Sequence, residues 1–160
     1  MAATKALSSS ASVDIRNFTR RSAPGLPYKK IAQAILPQWD ISLVFSGSVR
    51  AKNLNILLRG KDYIPNVLSY ELSSHRGETS MRSGEIVICL PVAKQQAQSY
   101  GLSYRHFTAF LFIHGLLHLE GLRHGPTMER HEYALLKRFT GATPRPTNPV
   151  TYGTTNRNRH

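Results

Sequence analysis

Apolar positions along this chain change their period several times, and each change marks an element. Residues 13–18 read as an edge strand. Pro24-Gly25 then signals a turn, and Pro27 suits the first turn of a helix. Tyr28, Ile31, Ala32, Ile35 and Leu36 recur at helical spacing until Pro37 stops them. Residues 40–46 turn to alternation through Ile41, Leu43 and Phe45, a strand pattern. Ser48 is placed to cap a second helix reaching about Leu58, with Val49, Ala51, Leu54 and Leu58 available to pack and Gly60 to end it. Residues 67–72 and 85–90 read as two further strands, with a polar loop or hairpin tip at 73–84 between them. Pro91 opens a helix to Tyr100, and Gly101 closes it.

Ser103 caps the longest helix, residues 104–120. Phe107, Phe110, Leu111, His114, Leu117 and His118 share much of one side of it. Thr127 is placed to cap a last helix through Phe139, carrying Tyr133, Leu136 and Phe139. No internal repeat is present. Helices before, between and after short strands predict a single compact α/β (α+β) domain, with a small mixed sheet of about four strands packed with helices. The expected organisation is a flexible segment at 1–12, a folded domain at 13–140 and a disordered basic tail at 141–160, rich in Pro, Thr and Asn.

Composition narrows the partners. At 160 residues the chain suits one domain with a core. Its net charge of +12, from 21 Lys and Arg against 9 Asp and Glu, favours a polyanion. The single cysteine, Cys89, cannot close an internal disulfide, which fits a reducing, cytoplasmic setting. It lies in an apolar run, as a small core residue would. No run reaches the ~18–20 apolar residues that span a bilayer, so no membrane partner is expected. The Ser- and Ala-rich residues 2–13 lack the apolar core of a secretory signal and read as a disordered cap.

The stretch from His114 to His124 carries the chemistry. Its histidines stand at i, i+4 and i+10, with Gly121 between the second and third. Residues four apart lie one above the other on a helix, so His114 and His118 can face one ion. Gly121 can take the left-handed conformation that ends the helix and lets the chain return with His124. Three imidazoles leave a fourth position open on tetrahedral zinc, the pattern of a catalytic rather than a closed structural site. The bland alternative is ordinary helix and turn histidines. Zinc peptidases place Glu directly after the first histidine as general base. Here that position is Gly115, and Glu120 lies two residues past His118, facing away. The pattern thus argues against ordinary peptide hydrolysis.

With these residues in view, the chain resembles the YbeY family of bacterial and organellar endoribonucleases and rRNA maturation factors. The resemblance covers residues 13–139. It is carried by Leu54-Asn55 followed by Arg59 and Asp62, by Val67-Leu68-Ser69-Tyr70, and by Gly84-Glu85-Ile86-Val87-Ile88. The His114–His124 motif and Met128 with Glu132 and Leu135 complete it. The resemblance implies a mixed α/β fold with the histidines beside a groove along the sheet. It implies one Zn2+ held by His114, His118 and His124, and it makes Arg59 and His114 the expected catalytic residues. It further implies a single-strand-specific endoribonuclease in small-subunit rRNA 3′-end maturation and ribosome quality control. RNA, rRNA precursors, the small ribosomal subunit and ribosome-associated proteins are then the expected partners.

Three positions depart from the family pattern. Pro65-Asn66 stands where Thr-Asp is usual, Arg123 stands where Asp is usual before the third histidine, and Glu85 replaces a commoner Asp. The first two remove acidity beside the inferred cleft, favouring phosphate and altering the support around the metal.

Alone, Arg59 reads as a helix-terminal arginine complementing the dipole; with the resemblance it becomes the candidate for gripping a scissile phosphate through its planar fork. Other basic residues, Lys52, Lys61, Arg76, Arg82, Arg105 and Arg123 among them, could track an RNA backbone. Tyr70, Tyr100, Tyr104 and His75 are candidates to stack on unpaired bases. The expected reaction is metal-assisted phosphodiester hydrolysis, with a route through the RNA 2′-hydroxyl as a variant. Two other classes remain: a zinc-containing ribosome-assembly factor that binds RNA with little nuclease activity, and a zinc peptidase with an unusual base.

Overall fold

The structure, a computed structural model, describes residues 10–72 and 81–145. Its elements run β1 (Ser12–Asn17), α1 (Tyr28–Ile35), β2 (Trp39–Ser46), α2 (Ser48–Arg59), β3 (Val67–Leu72), β4 (Arg82–Cys89), α3 (Leu90–Gln96), a 3-10 turn (Ala97–Tyr100), α4 (Tyr104–Glu120) and α5 (Pro126–Thr140). The strands form one four-stranded sheet in the order β1-β2-β4-β3. β1, β2 and β4 are parallel, and β3 pairs antiparallel with β4 at an edge. The expected small mixed sheet packed with helices is the observed fold.

Alternation along the strands divides the sheet into two faces. Ile41, Leu43 and Phe45 of β2 and Ile86 and Ile88 of β4 enter the main core with residues of α1, α3, α4 and α5. Val44, Leu68 and Val87 form a smaller cluster on the other face, against which Leu54 of α2 packs. α4 is the centre of the molecule, with every residue from Phe107 to Leu117 buried. The sequence pattern suggested one apolar side. The helix is apolar all round because the sheet covers one flank and neighbouring helices cover the others.

α4 approaches β4 closely because glycine stands on both sides of the contact. A Cβ at Gly115 would lie 3.0 Å from Ile86 Cγ2, and one at Gly84 only 2.6 Å from Leu119 Cδ1.

Several boundaries differ from the sequence expectation. Gly47 occupies the cap of α2 and Ser48 is its first helical residue. Gly125 likewise precedes α5, so Thr127 lies inside the helix and accepts a 3.3 Å hydrogen bond from Arg130. Neither cap glycine supplies a side-chain oxygen; Gly47 holds ordinary extended angles, and Gly125 has φ 154°. β4 begins at Arg82, taking the last residues of the expected loop, and a 3-10 turn completes α3. The larger difference is α2, which packs through Ala51 and Asn55, whereas Val49 is 76% and Leu58 44% exposed. The expected tail enters the described residues only as far as Arg145, whose backbone N–H donates to Tyr100 O at 2.9 Å. The rest of that tail, residues 1–9 and the loop bearing His75 and Arg76 lie outside the described residues.

Candidate metal centre

The end of α4 builds the site. His114 and His118 project from successive turns, with ring centroids 4.5 Å apart. Gly121 then adopts φ 109°, which a side-chain-bearing residue rarely tolerates. Its N–H donates to His118 O and the Leu122 N–H to Leu117 O, each at 3.0 Å, in the manner of a Schellman termination. The reversal returns His124 to within 4.5 Å of the His118 ring and 5.1 Å of the His114 ring, centroid to centroid. One ligand atom from each of the three lies within 4.8 Å of the others.

Hydrogen bonds behind the rings fix what they present. His118 Nδ1 lies 3.0 Å from Leu122 O, so the turn that ends the helix also orients its last ligand. His114 Nδ1 lies 2.5 Å from Glu132 Oε1 of α5. Both partners are acceptors, which assigns the hydrogen to Nδ1 and leaves each Nε2 with a bare lone pair. Those two Nε2 atoms face each other at 3.0 Å. Two lone pairs at that distance repel unless a cation stands between them, so the donor set fits a divalent metal.

Electrostatics agree with the geometry. Burial, reinforced by His114 and His124, holds the His118 pKa down to about 4. Burial and the His114 charge also lower His124, and Arg59 contributes in the same direction at both rings. These rings therefore stay neutral, as ligands must, at physiological pH.

The structure brings Arg59 within electrostatic reach of His118 and His124. It stands at the last position of α2, before Gly60, and its Nη1 donates to the Tyr63 hydroxyl at 3.4 Å. Buried Asn55 holds the intervening loop through its own amide, 3.1 Å from Tyr63 O. Glu120 is exposed on the last turn of α4. The position that carries the base in zinc peptidases is Gly115, which points into the α4–β4 contact where even a methyl group is tight against Ile86. A glutamate there would face the core rather than an ion.

The remaining sequence candidates divide. Tyr100 is 2% exposed and cannot stack on a base. Tyr70 donates its hydroxyl to Glu85, which also accepts from Ser42 at 2.9 Å across the sheet. The ring of Tyr104 packs against the core, with its hydroxyl buried and, among the described residues, lacking a hydrogen-bond partner. Asn66 donates to Gln96 Oε1 at 2.9 Å, fastening β3 to α3. Arg123 is exposed in the turn between two ligands. Arg82 is held by Glu71 at 2.8 Å and Lys52 by Asp62 at 3.3 Å. Sequence reasoning did not place Glu132 in the site. Its signal was a carboxylate on an apolar helical stripe, between Met128 and Leu136.

Fold and site together define a small α/β domain with a three-histidine, metal-capable centre at the end of its buried helix. A family model described as Endoribonuclease YbeY matches residues 8–140. An Endoribonuclease YbeY of Thiobacillus denitrificans is 36% identical over 116 residues, covering 68% of this chain and 76% of the relative. One of Chromobacterium violaceum is 31% identical over 130 residues, covering 78% of this chain and 77% of the relative. The solution structure of a Thermotoga maritima protein shares the fold, with a TM-score of 0.52 at 18% identity over 82% of this chain and 89% of that one. The chain belongs to the YbeY endoribonuclease family.

Proposed function

We propose that this protein is a zinc-dependent endoribonuclease of rRNA processing, acting on single-stranded RNA and serving 3′-end maturation and quality control of the small ribosomal subunit. The observation that carries the reading is the convergence of His114, His118 and His124, with the Nδ1 atoms of the first two tied off behind the rings. Family membership supports the substrate class, and the net charge of +12 suits a polyanion.

His114, His118 and His124 would hold the ion, and imidazole donors suit zinc. The bound ion supplies Lewis acidity toward the phosphodiester. Arg59 binds two oxygens of the scissile phosphate through its planar fork and offsets the charge that develops on them. Tyr63 orients that fork, and the buried Asn55 fixes the loop bearing Tyr63. The low pKa of His118 keeps protons from competing with the ion for that ring. A reducing, cytoplasmic setting is supported by Cys89, a free and buried thiol.

The test measures metal content and cleavage of defined rRNA precursors in parallel for wild type, His114→Ala and Arg59→Ala. His114→Ala should lose both. Arg59→Ala should keep the metal and lose about 100-fold or more in cleavage rate, as for other charge-stabilising groups. Undiminished cleavage by a metal-free, nuclease-free preparation overturns the mechanism, and cyclic-phosphate ends would identify a route through the 2′-hydroxyl. The second reading, an assembly factor that binds rRNA without cutting it, draws on the same positive charge. It predicts zinc and salt-sensitive RNA binding with intact substrate.

A further inference from the structure

Glu132 is 1% exposed, on a helix whose other fully buried side chains are Met128 and Leu136. These three stand at i, i+4 and i+8, the stripe by which α5 packs on α4. An apolar residue is what that stripe calls for, because a buried carboxylate is costly without a strong partner. Its partner here is a metal-ligand imidazole: Oε1 of Glu132 accepts from His114 Nδ1 at 2.5 Å. Burial and the nearby Glu132 charge also push the Tyr100 phenol up to about 12, placing a second polar group of the core within its field.

We propose that Glu132 is the positioning residue that makes His114 the stronger of the two ligands on α4, and that it couples the docking of α5 to metal capture. The proposal rests on the three-histidine reading above. The two histidines of α4 are backed differently. His118 leans on a neutral carbonyl of its own helix-ending turn, whereas His114 leans on a carboxylate delivered by another helix, 18 residues along the chain. An anionic acceptor fixes the ring tautomer and increases electron density at the opposite nitrogen, strengthening its bond to a cation. The carboxylate reaches His114 only when Met128 and Leu136 are seated in the core. An ion at the site therefore favours the seated helix, and a displaced α5 weakens the site.

The experiment titrates zinc alone, without RNA, against a chromophoric chelator, using full-length wild type, Glu132→Gln and Glu129→Gln. The last removes a carboxylate from the same helix, one not joined to His114. Glu132→Gln should bind zinc about 10–100-fold more weakly, and Glu129→Gln should match wild type. Nitrogen-15 spectra of the imidazoles should show His114 as a single Nδ1–H tautomer in wild type and as a mixture in Glu132→Gln. Hydrogen exchange on wild type alone provides a readout that needs no variant to fold: zinc should raise protection across α5. A folded Glu132→Gln with wild-type zinc affinity and tautomer overturns the positioning role. Zinc binding that leaves α5 exchange unchanged overturns the coupling. A wild-type protein that takes up no zinc removes the site and Glu132's role with it. A protein that binds zinc as expected but cuts no RNA contradicts only the function proposed above.

Discussion

The two helices that deliver the candidate catalytic groups, α4 and α2, are set into the molecule in opposite ways. α4 is buried on every side along its middle, so its candidate ligands at His114 and His118 are fixed by the packing of eleven consecutive buried residues. α2 rests on the sheet through Ala51, Leu54 and a buried asparagine, and turns Val49 and Leu57 outward at 76% and 78% exposure. Arg59, at its end, is exposed and, among the described residues, makes one long side-chain hydrogen bond, to Tyr63. Under the proposed function, a metal needs donors held to a few tenths of an ångström, whereas an arginine that grips phosphate has to follow a mobile polymer. The difference in setting suits that division of proposed tasks.

The sharpest way to break this comparison is His114→Ala, which should take zinc uptake from near-stoichiometric to background. Retained binding, measured by metal analysis after chelator washing, would show that α4 does not hold the ion. Next in size, Phe112→Ala, at 0% exposure in the middle of α4, should destabilise the fold by about 3–5 kcal/mol in denaturant unfolding. Gly115→Ala should be milder, at about 1–3 kcal/mol, since its methyl group presses on Ile86 and the gain in helix propensity offsets part of the strain. A wild-type Tm for Gly115→Ala would mean that the α4–β4 contact is loose. At the small end, Leu57→Ala on the outward face of α2 should change stability by no more than about 0.5 kcal/mol. A larger loss would reveal that α2 is more deeply anchored than its exposure indicates.

Acid stability distinguishes the same regions. The folded-state pKa of His118 is depressed from 6.5 to about 4, so between those values the unfolded chain binds the proton more readily. Its contribution to stability is complete above pH 6.5 and is lost as pH falls toward about 4. Unfolding of the metal-free protein across that range should show the decline, and His118→Asn should flatten it.

Legibility from sequence followed the range of the interactions. The histidine spacing, the Ser103 cap and the Gly121 termination are local to α4, and the chain alone announced them. The caps of α2 and α5 were misplaced by one and two residues because a glycine stands just ahead of the hydroxyl residue, next to Ser48 at Gly47 and one residue before Pro126-Thr127 at Gly125, and only backbone angles choose between them. Only half of the α2 face was legible: Ala51 and Leu54 pack as expected, while Val49 and Leu58 turn outward and polar Asn55 is buried because its amide bonds the Tyr63 carbonyl, a tertiary contact that hydropathy does not report. Glu132 escaped because its meaning depends on a partner in another helix. The Arg59–Tyr63 pairing escaped for a similar reason, since it needs the loop that Asn55 folds back.

Gly84 has a consequence for the spacing of the three histidines. With no side chain there, the Leu119 methyls settle directly onto the backbone of β4, so the strand acts as a depth stop for the final turn of α4. Leu119 is the neighbour of His118, and the gap between imidazoles is therefore gauged partly by a residue that touches none of them. In the metal centre proposed above, the sheet would share with the histidines in setting how wide the donor cluster stands.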